Sequence, residues 1–446
     1  MPTLPETNPI PSTVHQVGLG AILLILASSG CIAQTIEIDT PDAREEALLT
    51  AIERLVSDGG PSSESLIGPV TALSLFLEET GAYSRADESI ERVLRLVRTS
   101  VSADALEQAP GIRRLIRNEE QRGNAETAWD LEQALLALAE HHPDDPRSAR
   151  ILWDAADKRM GFLARYEAGE LPAEILLGCY YDASATYDQG WAQSSRPADA
   201  SSAAFSDQTG NPFDVPFGKP QTSCANGSRT LAREAIEFEA QVFYIDAANI
   251  LLRDGEPLRD DLPDLIRMLA QVSYLRRDYA AGRRGLENLL ANQTRKSADV
   301  VARINTMLLL GDWHLVWAQD LGTKLEKLAT RIYLDAYMLA RENDVAQPAI
   351  DNIFPSDVPI VVPTFLPNPL ISFETATSTG FIDASFIVTG DGKVSDFDVL
   401  DSTTDATRSS QKDLERLVKR SRFRPVVAAD GIVDEAPMTI RYYLNE

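Results

Sequence analysis

The sequence predicts a mainly α-helical protein that ends in a small α+β domain. Between about residues 40 and 345, apolar residues recur at intervals of three and four, the period of an amphipathic helix. Two similar stretches, around Gly81 and Gly123, lie 42 residues apart, and a period of that length favours stacked helical units. Beyond Ser378 the apolar period changes to two, the period of a β-strand. With 446 residues, of which 44% are hydrophobic, the chain is long enough to bury more than one core.

Charge and composition argue against several classes of function. The chain has 67 acidic and 42 basic residues, a net charge of -25, and we expect no nucleic-acid partner because this surface repels phosphates. Its three cysteines and four histidines lack metal-ligand spacing, so we expect no metal site. No phosphate-binding loop, nucleophile elbow or zinc-protease motif occurs, so we also expect no catalytic residue, no cofactor and no enzymatic activity.

Residues 1–33 are predicted to be a signal peptide or a membrane anchor. Residues 17–33 contain no charged side chain and end in small residues, as the apolar region and cleavage site of a signal peptide do. Cleavage after Ala33 is the favoured outcome. Two alternatives stay open, namely lipidation at Cys31 and retention as an anchor, since 17 apolar residues are near the lower limit for spanning a bilayer.

Export to an oxidising compartment would allow two of the cysteines to pair. Cys179 and Cys224 bracket the stretch SSRPADASSAAFSDQTGNPFDVPFGKP, which is rich in Ser, Ala, Pro, Gly and Asn and belongs to an irregular insertion at about 188–228. We therefore predict a Cys179–Cys224 disulfide that tethers this insertion. The alternative is two separate thiols, because the sequence does not give the geometry that a disulfide needs.

Helical hairpins are predicted from about 40 to 345. The stretches ETGAYSRADESIERVLRL and QRGNAETAWDLEQALLAL each combine a glycine turn with a small residue at an equivalent position, Ala86 or Ala128. From about 60 to 345 the chain resembles the tetratricopeptide repeat family. The resemblance implies an array of stacked helix pairs that presents a groove to protein partners. Plain amphipathic hairpins are the alternative.

An aromatic motif, GDWHLVW, lies in the last predicted hairpin. Trp313 and Trp317 are one helical turn apart, and His314 lies between them. We predict that both rings belong to the hairpin core, because large aromatic side chains normally contribute much of the buried apolar surface of such cores. An aromatic ligand pocket is the alternative.

A proline-rich linker is predicted at 346–369. Its prolines stand at near-regular spacing in AQPAIDNIFPSDVPIVVPTFLPNP, so we expect no helix there. The apolar residues between the prolines indicate that the segment lies against a surface of the protein.

The domain at 370–446 is predicted to have the order β-β-α-β. A first strand has Ile382 and Phe386 on one face, a turn at Gly392 requires a positive φ, and a short helix covers about 409–420. The last strand runs from Met438 to Leu444. The predicted core consists of Phe381, Phe386, Leu414, Leu417, Phe423, Ile440 and Tyr442.

The stretches GFIDASFIVTGDGKVSDFDVLDS, LERLVKRSRFRP and PMTIRYYL resemble the carboxyl-terminal domain of the TonB energy transducer family. The matching motif residues are Gly380, Asp391, Gly392, Arg422, Phe423, Arg424 and Pro425. The resemblance implies capture of a partner peptide by strand addition at the last strand. On this basis the predicted partner-binding residues are Met438, Ile440, Arg441, Tyr442 and Tyr443.

These features predict a non-enzymatic interaction protein in the periplasm of a Gram-negative bacterium. The expected partners are other cell-envelope proteins, engaged through an extended peptide segment or as outer-membrane proteins. The alternative is an atypical energy transducer that residues 17–33 anchor in the inner membrane and that acts in transport across the outer membrane. In the place of the family's long spacer, however, this chain has helical hairpins, which puts that activity in doubt.

A basic stretch closes the predicted helix of the terminal domain. Between Arg408 and Arg424 the sequence has seven basic residues and two acidic ones. This helix is expected either to dock on an acidic surface, such as the helical array, or to be simply solvated.

Overall fold

The computed structural model describes residues 40–167, 229–253, 260–356, 358, 360–366, 370, 378–403, 406–428 and 431–445. The leader, Cys179, Cys224 and the insertion at about 188–228 lie outside these residues, so what the sequence predicts for them stays a prediction. Among the helices of these ranges, none combines the length and the apolar character that crossing a membrane requires.

Helices make up most of the chain before residue 354. Their bounds are α1 Pro41–Gly59, α2 Ile67–Glu79, α3 Tyr83–Ser100, α4 Ala109–Arg122, α5 Ala125–Glu140, α6 Pro146–Glu167, α7 Arg229–Arg253, α8 Leu262–Leu275, α9 Tyr279–Arg295, α10 Val300–Leu321, α11 Lys324–Glu342 and α12 Gln347–Ile353. The prediction of a mainly helical chain is confirmed.

The chain divides into two compact units, residues 1–101 and 102–446. The described part of the first unit begins with α1, where the Thr40 hydroxyl accepts a hydrogen bond from the Ala43 N–H at 3.3 Å and caps the helix. α2 and α3 form a hairpin. The core of this unit consists of Ile52, Leu66, Val70, Leu73, Phe76, Leu77, Ala86 and Leu96.

The second unit continues as a series of helical hairpins. α4 pairs with α5, α6 with α7, α8 with α9, and α10 with α11. Successive hairpins also contact one another, through α5 and α6, α7 and α8, and α9 and α10. Each hairpin thus covers the apolar face of its neighbour, which is how a helical array buries a core.

The hairpin turns repeat one local geometry. Gly81 and Gly123 follow α2 and α4 with φ values of 76° and 79°, and the Asn124 N–H bonds the Glu119 carbonyl at 2.9 Å. Arg277 has the same role between α8 and α9 at φ 58°, although it has a Cβ. A residue in the left-handed conformation allows the N–H groups that follow to cap the last carbonyl groups of the helix, and it reverses the chain direction.

Trp313 and Trp317 are core residues, as predicted. Their exposed fractions are 0% and 4%, and the Trp313 indole N–H donates to the Tyr279 carbonyl at 3.1 Å. His314 is also buried, and its Nδ1 lies 2.9 Å from the Tyr279 hydroxyl. Burial lowers the pKa of His314 to about 4, so the ring is neutral near pH 7.

The proline-rich segment differs from its prediction in one respect. Its first part is a helix, α12, because Pro348 occupies the first turn, where a missing N–H breaks no helical hydrogen bond. Ile350 and Phe354 are buried against α10 and α11. Phe365 is buried as well, so the segment lies on the array as a strap, in agreement with the sequence.

The carboxyl-terminal module follows the predicted strand order, with short additional strands. The strap before it contains β1 Val361–Val362, and the module consists of β2 Ser378–Thr389, β3 Val394–Ser402, α13 Arg408–Arg420, β4 Arg422–Phe423, β5 Val427–Ala428, β6 Gly431–Ile432 and β7 Glu435–Asn445. The main sheet has the antiparallel order β3-β2-β7. β1 in the strap pairs with β4, and β5 pairs with β6.

The module has a core of its own, and the predicted core is correct except at Phe381. Phe386, Leu414 and Phe423 are buried in it, and the other predicted members except Phe381 pack against it half-buried. Side chains alternate between the faces of a strand. Since Ile382 and Ala384 point into the core, Phe381 lies on the opposite face of the sheet.

The main division of the chain does not fall at the proline-rich segment. The sequence places a linker there, at 346–369, but the helices from α4 onward, the strap and the module form one compact unit. One apolar cluster explains this, since Tyr333 and Tyr337 of α11 share it with Val362 of the strap and Val427 of the module.

Close helix packing in the array depends on Gly311. A Cβ at this position in α10 would overlap the ring of Tyr333 in α11. We expect Gly311→Ala to lower the free energy of unfolding by about 1 to 3 kcal/mol, the usual cost of overpacking a core. Urea denaturation followed by circular dichroism measures this change.

Gly161 provides the matched control, because it is a helical glycine whose added Cβ would meet nothing within 4 Å. Gly161→Ala should leave stability unchanged or raise it by up to about 1 kcal/mol through helix propensity. Equal effects of the two substitutions would show that Gly311 has no special packing role.

Candidate partner-binding edge

β7 is an edge of the main sheet. It pairs with β2 on one side, and no strand within the described residues pairs with its other side. Its register with β2 runs without a bulge from Gly380 opposite Leu444 to Thr389 opposite Glu435. The predicted partner-binding residues lie on this strand.

The direction of the β2 backbone groups follows from its contacts with Thr403. The Phe381 carbonyl accepts from the Thr403 N–H at 3.1 Å, and the Phe381 N–H donates to the Thr403 hydroxyl at 3.0 Å. Both groups therefore face the β3 side. Backbone groups alternate in direction along a strand, so the odd-numbered residues of β2 face β3 and the even-numbered ones face β7. The Gly390 N–H, which donates to the Asp434 carbonyl at 2.9 Å, agrees with this assignment.

The same alternation assigns the residues of β7. Thr439 and Arg441 lie opposite Ser385 and Asp383, which face β3, so their own N–H and C=O groups point away from the sheet. Tyr443, opposite Phe381, has the same direction. Met438, Ile440 and Tyr442 instead lie opposite even-numbered residues of β2, so their backbone groups bond to β2. Their side chains pack in or against the module core. Of the predicted partner-binding residues, Arg441 and Tyr443 thus direct their backbone N–H and C=O groups to the open edge, and the other three direct theirs to β2.

The opposite edge, β3, is protected in ways that β7 is not. Its pairing with β2 is interrupted by two register shifts. Asp396, Asp398 and Asp401 place carboxylates along it, and Asp396 has a φ of 50°. Bulges and charges of this kind discourage strand addition. Pro437 is the comparable feature on β7, where it removes one edge-facing donor, which leaves the stretch from Thr439 onward as the receptive part.

Arg441 is held within its own sheet. Its Nε and Nη2 each donate to the Asp383 carboxylate at 2.7 Å, and its guanidinium carbon lies 4.2 Å from the centre of the Phe381 ring. The hydrogen bond from Arg441 lowers the pKa of Asp383, which stays ionised. The Arg441 side chain therefore lies across the face of the sheet, toward Asp383 and Phe381 of β2.

The module is joined to the helical array by a buried carboxylate. Arg424, which follows β4, donates from Nε to Asp312 Oδ1 at 3.0 Å and from Nη2 to Oδ2 at 2.6 Å. The Tyr333 hydroxyl donates to Oδ1 at 2.8 Å, and the Thr364 hydroxyl donates to Oδ2 at 2.9 Å. We call Asp312, Tyr333, Thr364 and Arg424 the Asp312 cluster. It joins α10, α11, the strap and the module at one point.

The neighbours of Asp312 in sequence make this geometry possible. Gly311 lets the Tyr333 ring lie close to α10, so that its hydroxyl reaches Asp312. Burial raises the pKa of Tyr333 well above its ordinary value, so the hydroxyl remains a donor. On the other side, the rings of Trp313 and Phe365 lie 5.6 Å apart and bring the strap to the helix.

A second polar contact between the module and the array involves Glu326. Glu326 of α11 is buried and lies 3.2 Å from Lys393 Nζ and 3.7 Å from Arg422 Nη2. The Phe423 N–H donates to the Gly392 carbonyl at 2.9 Å. Gly392 has a φ of 75°, as its turn predicts, and an added Cβ would lie 2.9 Å from Leu315 of α10. Gly392, Arg422 and Arg424 thus lie at the interface with the array.

The basic stretch divides into two parts with different surroundings. Arg422 and Arg424, which follow α13, contact the array, as described above. The basic residues of the helix itself are exposed, namely Arg408, Lys412, Arg416, Lys419 and Arg420. Docking on acidic residues of the array is thus found for Arg422 and Arg424, while the helix buries Leu414 and Val418 in the module core and its basic residues face solvent, as in the alternative.

Sequence reasoning missed Asp312, Tyr333, Thr364 and Glu326. One signal for Asp312 was present, since it is a lone acid within the apolar run LLLGDWHLVW. An acid in such a run requires a buried partner. Nothing in the sequence placed that partner 112 residues away at Arg424. In the part of the chain that the structure covers, no group of three His, Cys, Asp or Glu side chains is arranged to hold a metal ion.

Comparisons with known proteins give only distant similarity. No family model and no curated protein matches the chain. BtubC (BKLC) from P. vanneervenii is similar to it at 12% identity and a TM-score of 0.33, over 76% of this chain and 97% of that chain. The TPR-like repeats of a kinesin light chain from Podosopora anserina are similar at 12% identity and a TM-score of 0.26, over 64% and 98%. Similarity at this level supports no conclusion about function.

The Asp312 cluster makes a prediction about stability. Arg424→Ala leaves the Asp312 carboxylate buried without its countercharge, which typically costs about 3 to 5 kcal/mol. We expect this loss in urea denaturation followed by tryptophan fluorescence, to which Trp313 beside the cluster contributes.

Arg441→Ala is the matched control. It removes another arginine that donates two hydrogen bonds to an aspartate, but here the arginine side chain is 50% exposed. An exposed pair contributes little because water replaces it, so the urea midpoint should hardly change. A comparable midpoint shift in both variants would contradict the role assigned to the Asp312 cluster.

Proposed function

We propose that the protein is a non-enzymatic interaction protein of the bacterial cell envelope, which captures an extended segment of a partner protein by strand addition at β7. The helical array acts as the scaffold that carries the terminal module. Residues 1–33 direct the chain to the periplasm and are then cleaved, lipidated at Cys31 or retained as an anchor. The resemblance of the motif residues to the TonB family supports this location and this mode of binding.

The observation that carries the proposal is the contrast between the two edges of the main sheet. β7 is regular and directs the backbone groups of Thr439 and Arg441 outward, whereas β3 is bulged and acidic. An added strand gains main-chain hydrogen bonds from such groups, and alternate side chains provide selectivity. The half-buried Ile440 and Tyr442 favour apolar side chains on one face of the partner segment.

The attachment of the module adds to this argument. The Asp312 cluster and the Glu326 contacts hold the module against α10 and α11. An edge held in this way is already ordered when a partner arrives, so less conformational entropy is lost on binding. The array then presents β7 at a fixed place, and other surfaces of the array are available to bind the remainder of the same partner.

The edge can be tested by a proline substitution. Thr439→Pro removes an outward-facing donor and leaves the bonds to β2 intact. A partner is first recovered with the full chain from cell-envelope extract, and its affinity is then measured by calorimetry. We expect about a twofold to tenfold loss of affinity from one lost hydrogen bond, with an unchanged thermal unfolding midpoint.

Val399→Pro is the control at the other edge. Val399 lies opposite Ala384, whose backbone faces β7, so its donor also points out of the sheet, but on the β3 side. This variant should bind like the parent. A partner that binds the Thr439 variant as tightly as the parent, or that is lost only in the Val399 variant, would show that β7 is not the binding edge.

A further inference from the structure

The solvent face of α13 carries a cluster of cations in an acidic protein. Leu414 and Val418 fix this helix on the module core, so the opposite face is open to solvent. A shallow hollow of about 340 Å³ lies on that face. It is lined by Lys412, Glu415, Arg416, Lys419 and Arg420. Neither the fold nor the proposed strand addition uses these side chains.

The local ion pairs involve two of the four cations that line the hollow. Arg416 bonds Asp413 and Lys419 bonds Glu415, each at 2.6 Å within the helix. Exposed pairs of this kind are weak and exchange readily with other anions. Lys412 and Arg420 form no ion pair among the described residues. Arg422 and Arg424, by contrast, are already used at the array.

We propose that this face of α13 binds an extended protein segment that has carboxylates at alternate positions. Lys412, Arg416 and Arg420 follow one another at four-residue steps, which correspond to a rise of about 6 Å each along a helix. Alternate residues of an extended chain are about 6.8 Å apart on one side. Three carboxylates at positions i, i+2 and i+4 of such a segment therefore match the three cations.

Charge complementarity selects a short acidic segment over a larger anion surface. The net charge of the whole chain is -25, so an anionic membrane would be repelled by the rest of the protein. A peptide of a few residues meets only the local cations. Because α13 lies on a different part of the module from the outward groups of β7, this binding does not depend on the strand addition proposed above.

The test uses the full chain and two peptides of the same composition. The first is acetyl-Glu-Ser-Glu-Ser-Glu-amide, and the second is acetyl-Ser-Glu-Glu-Glu-Ser-amide. Saturation-transfer NMR at low salt measures the affinity of each. We expect the alternating peptide to bind more tightly than the clustered one, and its binding to weaken as ionic strength rises to ~0.15 M.

Two triple variants then locate the binding. Lys412→Gln, Arg416→Gln and Arg420→Gln together should weaken binding about tenfold through the loss of three exposed ion pairs. Lys324→Gln, Lys327→Gln and Arg331→Gln remove the same charge from the exposed face of α11 and should leave binding unchanged.

Each contrary result overturns the proposal. Absence of binding by the parent excludes the site, and equal losses in the two triple variants would mean that only net charge matters. Equal affinity for the two peptides rules out the alternate spacing. Retention of the chain on phosphatidylglycerol vesicles, lost in the α13 variant, would assign the face to a membrane instead.

Discussion

The carboxylate of Asp312 holds the strap and the terminal module against the helices of the second compact unit. It is fully buried, and four hydrogen bonds reach it, two from Arg424 and one each from Tyr333 and Thr364. A buried charge is tolerable only when it is paired and bonded in this way. Because these donors come from α11, the strap and the module, the requirement to satisfy one acid brings three parts of the chain together.

The surrounding structure can be understood from that requirement. The strap passes over the array with Phe365 buried, and its strand β1 pairs with β4, which places Arg424 beside Asp312. Arg422 and Arg424 thus attach the module to the array. β7 is an edge of the main sheet, and no strand among the described residues pairs with its outer side.

Much of the fold could be predicted from local patterns. The helical period, the glycine turns and the alternation in β2 each depend on near neighbours, so the hairpins, Gly392 and α13 were placed correctly. The features that the sequence did not predict are local exceptions to these patterns or contacts between residues far apart in the sequence. Arg277 adopts a left-handed turn without being glycine, Pro348 begins a helix, and the partner of Asp312 is distant in sequence. For the candidate edge, the sequence indicated the strand, but the direction of each backbone group required the register with β2.

Hydrogen exchange on the full chain tests most directly the claim that Asp312 fixes the module. The Arg424 N–H donates to the Ile360 carbonyl at 2.8 Å, so its exchange reports opening of the interface. We predict slow exchange there in the parent and exchange at least about tenfold faster in Asp312→Asn, while the amides of Ile382 and Ala384 within the sheet keep their protection. Fast exchange at Arg424 in the parent, or the same rate in parent and variant, would contradict the claim that Asp312 fixes the module.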